Sequence, residues 1–133
     1  MDLASRVFVV GGLLNLVFAF AIGFALSRRR LQTPEPSRHL LLAHRVSLWW
    51  GFLLLGMPWA ARLSVLPPLV ETLAACLFVA SSVLSDVEPV LNLAQGVDDP
   101  VAERSLGFYL AGTAGILATI GLLPFVVGSF LGL

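Results

Sequence analysis

The stretch VFVVGGLLNLVFAFAIGFAL, Val7 to Leu26, decides the fold, because it is mostly apolar and carries no ionisable group. A helix rising about 1.5 Å per residue needs roughly 20 such residues to cross about 30 Å of hydrocarbon. Three further segments meet the same requirement, near Leu40 to Ala60, Leu69 to Leu93 and Leu106 to Leu131. The joints are Arg28-Arg29-Arg30 with Pro34 and Pro36, then Arg62 with Pro67-Pro68, then Gly96 through Pro100. Short connections predict antiparallel neighbours. The expectation is an all-α integral membrane bundle of four transmembrane helices forming one domain over residues 1–133. The first run is too long for a signal-peptide core and is followed by arginines, not by a small-residue cleavage site, which predicts a retained helix.

Composition agrees: 58% of the 133 residues are apolar and 12% charged, against about 45–50% and about 25% in an ordinary soluble domain. Polar stretches such as Ser27 to His39 and Gln95 to Ser105 are too short to form a domain outside the bilayer. Eight arginines and no lysine balance eight acids. No basic face is therefore expected to follow a phosphate backbone, and nucleic acid is not an expected partner. A single cysteine, Cys76, excludes a disulfide framework and a Cys-x-x-Cys pair and reads as a packing residue. Arg28, Arg29, Arg30, Arg38 and Arg104 fall on one side against Arg6 and Arg62 on the other, so the first and third loops are expected in the cytoplasm and both termini outside, in a bacterial inner membrane. Gly107, Ala111, Gly115 and Thr119 recur every four residues in the fourth helix, and Ala19 and Gly23 do so in the first. Such small faces predict close helix packing, within the bundle or between copies.

Ionisable groups inside a span are expensive and are functional candidates for that reason. The topology brings His44 and Arg45 near the start of the second helix to the same end as Ser85, Asp86, Glu88 and Asn92 of the third and Tyr109 of the fourth. At about 100° per residue, Ser81, Ser85, Glu88 and Asn92 share a stripe from which Asp86 points away, so the two carboxylates are not expected in one pocket. Pro89 is expected to kink this helix and release the Ser85 carbonyl. The first helix and the C-terminal half of the fourth, lacking ionisable groups, read as wall. His39 reads as a solvated interfacial residue. His39 and His44 cannot flank one iron from a single straight helix, which disfavours a bis-histidine cytochrome. One histidine suffices for a five-coordinate haem, of b type because no Cys-x-x-Cys-His is present. From the residues alone, His44 reads first as an interfacial histidine bonded to a carbonyl or a lipid headgroup.

Leu42-Ala43-His44, followed by Gly51, Leu54, Leu55, Gly56, Trp59, Arg62 and Leu63, resembles the second helix of the small four-helix membrane isomerases that include styrene oxide isomerase and hydroxylaminobenzene mutase. The resemblance implies a homotrimer with haem b between subunits, His44 as the iron ligand, and ferric iron acting as Lewis acid on a small lipophilic epoxide or N-arylhydroxylamine. It also implies that Gly51 leaves room for the macrocycle or for helix approach. Asp86, Glu88 and Tyr109 become the candidate catalytic residues. Ser85-Asp86-Val87 looks like the family's Ser-Asn-Val, with an acid in place of the asparagine. Val90 stands where the family has a tyrosine, and Tyr109 is the one phenol that can replace it. Alternatives are a non-catalytic haem or small-molecule-binding membrane protein, and a structural membrane subunit without cofactor. The glutathione-using four-helix family is set aside, since Arg45 is followed by Val46-Ser47-Leu48-Trp49 and not by asparagine and glutamate.

Overall fold

A computed structural model describes residues 1–35 and 37–133; Pro36, one of the expected helix breakers, lies outside the described residues. The chain is all-helical: α1 Leu3–Arg30, α2 Arg38–Leu63, α3 Pro68–Gln95 and α4 Leu106–Leu131, each long and apolar enough to cross a membrane. No strand occurs among the described residues.

The helices run past the apolar segments that announce them, and their caps explain why. Asp2 caps α1 by accepting from the Ser5 amide at 2.6 Å and the Ser5 hydroxyl at 2.9 Å. These bonds to the charged form hold the Asp2 carboxyl below its usual 3.8, the Ser5 amide being the chief cause. The sequence predicts that Arg28, Arg29 and Arg30 belong to the break; the structure corrects this, since they form the last turn of α1. There their charge opposes the partial negative end of the helix. The break follows from Leu31, and Thr33 bonds back to the Arg29 carbonyl through its amide and hydroxyl. Ser37 and Ser105 cap α2 and α4, and Pro68 opens α3 at a position where no amide hydrogen is missed. Gly96, at φ 66°, closes α3 in the left-handed conformation that glycine adopts without a Cβ clash. Pro89 lies buried inside α3, which continues helically through it to Gln95.

α2 and α3 form the centre. α1 packs on both, α4 packs on α3 and touches α2 near the C-terminal ends of both helices, and α1 meets α4 through the Phe8 and Phe125 rings at 5.0 Å. An apolar core fills the half of the bundle holding the start of α1 and the end of α4. In it Phe8, Trp50, Phe78 and Phe125 meet edge to face around Leu54, Met57 and Ala74. Edge-on rings place positive edges against negative faces.

Small residues set the helix separations. Gly12 and Gly51 bring α1 onto α2, a Cβ at Gly12 meeting the Gly51 carbonyl at 2.9 Å. On α4 the buried small positions are Gly107, Ala114, Gly121 and Gly128, every second turn. Of the four-residue stripe read from the sequence, only Gly107 is buried within the chain; Ala111, Gly115 and Thr119 face outward, on the side open to a neighbouring copy. Seven residues keep one face over two turns, whereas steps of four drift around the helix.

Two outcomes test this packing. A Cβ at Gly121 would stand 2.7 Å from the Phe78 amide nitrogen and 2.8 Å from the Ala74 carbonyl, backbone atoms that cannot rotate away. Gly121→Ala should cost about 1–3 kcal/mol, while Gly115→Ala, which meets open space, should be neutral or stabilise by up to about 1 kcal/mol. Denaturant titration in a single detergent compares the pair. Because Asp2 is shifted down, its contribution is full above pH 3.8 and is lost as pH falls through its lower folded value. The Ser5 amide resonance should therefore titrate with a midpoint below 3.8, and Asp2→Ala should abolish that titration.

Candidate functional site

The polar groups gather in the other half of the bundle. On α2 the buried stripe is Ala43, Ser47, Gly51 and Leu54, and His44 lies one position around from it, half-buried toward α1. Its Nδ1 stands 2.8 Å from the Ala19 carbonyl. A carbonyl only accepts, so Nδ1 carries the proton and donates, and in the neutral ring Nε2 is left with its lone pair. The ring rests on Gly23, where a Cβ would meet Cε1 at 2.9 Å. The Ala19 and Gly23 face of α1 thus seats this imidazole. The carbonyl bond weighed for His44 from the sequence is present, and it occupies one nitrogen of two.

Asp86 is buried, at 7% exposure, roughly 14 Å inside the end of α3. The Ser47 hydroxyl donates to Asp86 Oδ1 at 2.6 Å, with the Ala43 carbonyl at 2.8 Å as its alternative acceptor. Ser82, one turn earlier on α3, accepts from Asn15 Nδ2 of α1 at 3.0 Å. Ser47, Ser82, Asp86 and Asn15 therefore tie the three packed helices together. Asn15, 3% exposed, corrects the expectation that α1 is plain wall. Its signal in the sequence is a lone amide in an apolar span, a polar group that a search for ionisable residues does not reach.

Glu88 belongs to a separate chain of bonds. Asn92 Nδ2 donates to Glu88 Oε1 at 2.6 Å, and the Ser105 hydroxyl donates to Asn92 Oδ1 at 2.9 Å. Gly107 leaves the space that the Asn92 amide fills. This chain joins α3 to the start of α4, so the two carboxylates occupy different settings, as their angular separation predicts. His39 differs from its expected solvated state: it is half-buried, and its Nε2 donates to the Val97 carbonyl at 2.7 Å, linking α2 to the connection after α3. In that connection Asp99 and Glu103 accept backbone amides and act as turn residues.

Tyr109 is 57% exposed on the outer side of α4, its ring 5.4 Å from that of Phe108. It lines a groove with Ala111, Gly112 and Ile116, and is not brought to Asp86 or His44 within one chain. Gly51 is filled from α1, its missing Cβ position lying 2.6 Å from a Leu16 methyl. Of the two uses expected for Gly51, helix approach is the one displayed. No cluster of three or more His, Cys, Asp or Glu side chains able to hold a metal ion occurs among the described residues. A porphyrin iron asks for a single imidazole from the protein. Compared with known protein families, curated proteins and solved structures, the chain matches none.

The Ser47 to Asp86 bond generates a test. Ser47→Ala leaves a buried carboxyl group without its donor and should cost about 1–3 kcal/mol. Removing both partners, Ser47→Ala with Asp86→Leu, should recover part of that loss. A double-mutant cycle in detergent measures it, and simple additivity of the two changes would contradict the assignment.

Proposed function

We propose that the chain is a haem b-dependent membrane isomerase that rearranges a small lipophilic substrate, of the epoxide or N-arylhydroxylamine class, as a homotrimer. The observation that carries the reading is the seat of His44. With Nδ1 held by the Ala19 carbonyl, the ring is fixed in orientation and tautomer, and Nε2 keeps the lone pair that an axial ligand needs. A carbonyl bonded to the far nitrogen also makes an imidazole a stronger donor to a metal. The haem, when bound, supplies a Lewis acid toward a substrate oxygen. His44 would hold it, and the half-buried position of the ring suits a cofactor covered by a neighbouring subunit.

The remaining residues supply position and charge. Ser47 follows His44 by three positions and so lies beside it on α2. Its hydroxyl aims the Asp86 carboxyl group, which would orient a substrate and steady positive charge developing on it. Glu88 keeps α4 in place through Asn92 and Ser105. Tyr109, facing outward, would reach a substrate only across a subunit boundary. In this reading the first and third loops lie in the cytoplasm of a bacterial cell, the side to which the arginine bias points, and a lipid-embedded site would receive its substrate laterally from the bilayer.

One observation favours a second reading, in which the protein binds haem or another small molecule without turnover. Val90 carries no hydroxyl, and the phenol that could replace it faces away from His44 in its own chain. A structural subunit would show neither cofactor nor turnover.

Protein purified in mild detergent should show a Soret band that His44→Ala abolishes. Gly23→Val, whose Cβ would press on the ring at Cε1 and Nδ1 and keep the imidazole itself, should weaken or shift that band. Full haem occupancy in His44→Ala rejects the ligand assignment. Conversion of styrene oxide or N-phenylhydroxylamine that falls at least about tenfold in Asp86→Leu separates the isomerase from the passive binder.

A further inference from the structure

Between α1 and α3 a groove of about 190 Å³ opens toward the lipid, lined by Leu14, Asn15, Phe18, Val83, Asp86 and Val87. Its walls are apolar, and its polar groups are one amide and one carboxyl group. The orientation of the amide is fixed. Asn15 Nδ2 donates to the Gly11 carbonyl at 2.9 Å and to Ser82 Oγ at 3.0 Å, while the Ser82 hydroxyl spends its own proton on the Val79 carbonyl at 2.8 Å. The Gly11 carbonyl, which can only accept, would repel an amide oxygen placed there, and this fixes the orientation of the amide. Asn15 Oδ1 is then a buried acceptor to which no described residue donates. Such an atom costs about 1–3 kcal/mol in a low-dielectric interior. Asp86 adds a second acceptor group, with room for about four donors, of which Ser47 supplies one.

We infer that this groove binds a single-ring aromatic molecule bearing an N–H or O–H donor, recognised by Asn15 and Asp86, and that it discriminates against molecules of the same shape that only accept or lack polar groups. The volume fits, since a cavity of about 150 Å³ holds benzene, leaving space here for one small polar substituent. Asn15 Oδ1 is closed over in the free chain, so the donor reaches it as the rim residues move aside. Leu14 is largely exposed to lipid, and its unbranched Cβ lets it change rotamer. Specificity has a physical source: a site with unpaired acceptors rewards a donor and penalises its absence far more than an apolar pocket distinguishes methyl groups. The inference does not rest on the haem, since neither Asn15 nor Asp86 is asked to touch iron; Asp86 is shared with the proposed function, and there it favours the N-arylhydroxylamine, which carries N–H and O–H donors, over the epoxide.

The test uses the purified protein in lipid nanodiscs with aniline as probe, and toluene and styrene oxide as donor-free comparisons. Methyl resonances of Val83 and Val87 report the groove itself, separately from partition into the bilayer. Aniline should shift them saturably, with an affinity at least about tenfold higher than that of toluene or styrene oxide at equal membrane concentration. Asn15→Leu should lower the aniline affinity at least about tenfold and leave that of toluene unchanged or raised. Val83→Trp, which fills the groove from the lipid side and leaves every polar bond in place, should abolish the aniline response, read at Val87. Equal responses to aniline and toluene, or aniline binding that survives Val83→Trp or a folded Asn15→Leu, would overturn the inference. A Soret band lost in His44→Ala with aniline binding intact separates the fate of this site from that of the haem assignment.

Discussion

The contact on which the remaining geometry depends is the meeting of α1 and α2 at Gly12 and Gly51. With no side chain on either residue, the two backbones come close enough that each carbonyl stands 2.9 to 3.3 Å from the position of the other's missing Cβ. In a bilayer such approach is a principal source of helix attraction, because lipid tails are as apolar as leucine and offer no hydrophobic gain on association. Two consequences follow along α1. One turn beyond Gly11, Asn15 comes within bonding distance of Ser82, and a turn further the Ala19 carbonyl reaches His44. A wider crossing would leave both polar groups facing hydrocarbon.

The bundle is divided along its length. One half is held by edge-to-face aromatic rings and carries few polar side chains; the other is threaded by short hydrogen bonds among Asn15, Ser47, Ser82 and Asp86, and among Glu88, Asn92 and Ser105. Edge-to-face rings leave little room for polar side chains, and in the polar half each unpaired group in a low dielectric costs about as much as a bond returns. The separation lets the polar half be specialised without disturbing the packing that keeps the chain folded.

Much of this was legible in the residues. Apolar runs of spanning length identify the four helices because lipid leaves a chain few other ways to satisfy its backbone. The angle between Asp86 and Glu88 follows from helical geometry alone, and the structure keeps them in separate networks. Other features were hidden for physical reasons. Arg28 to Arg30 end the apolar run but not the helix, because arginine is a good helix former and suits a C-terminus. The small face of α4 is ambiguous in a helix apolar on every side, where spacings of four and seven both propose a seam and only the position of α3 decides between them. Tyr109 could not be assigned to a face for the same reason. Asn15 is modest as a letter; it matters because Ser82, far away in sequence, supplies its partner.

The bond from His44 to Ala19 ends on a main-chain oxygen, an atom that every amino acid possesses. The orientation of the imidazole is therefore indifferent to the identity of the side chain at that position so long as the helices keep their distance. Mutational drift in this chain is constrained less by the chemistry of individual letters around the histidine than by their bulk, and a gradual exchange of one small residue for another can proceed there without the ring ever turning.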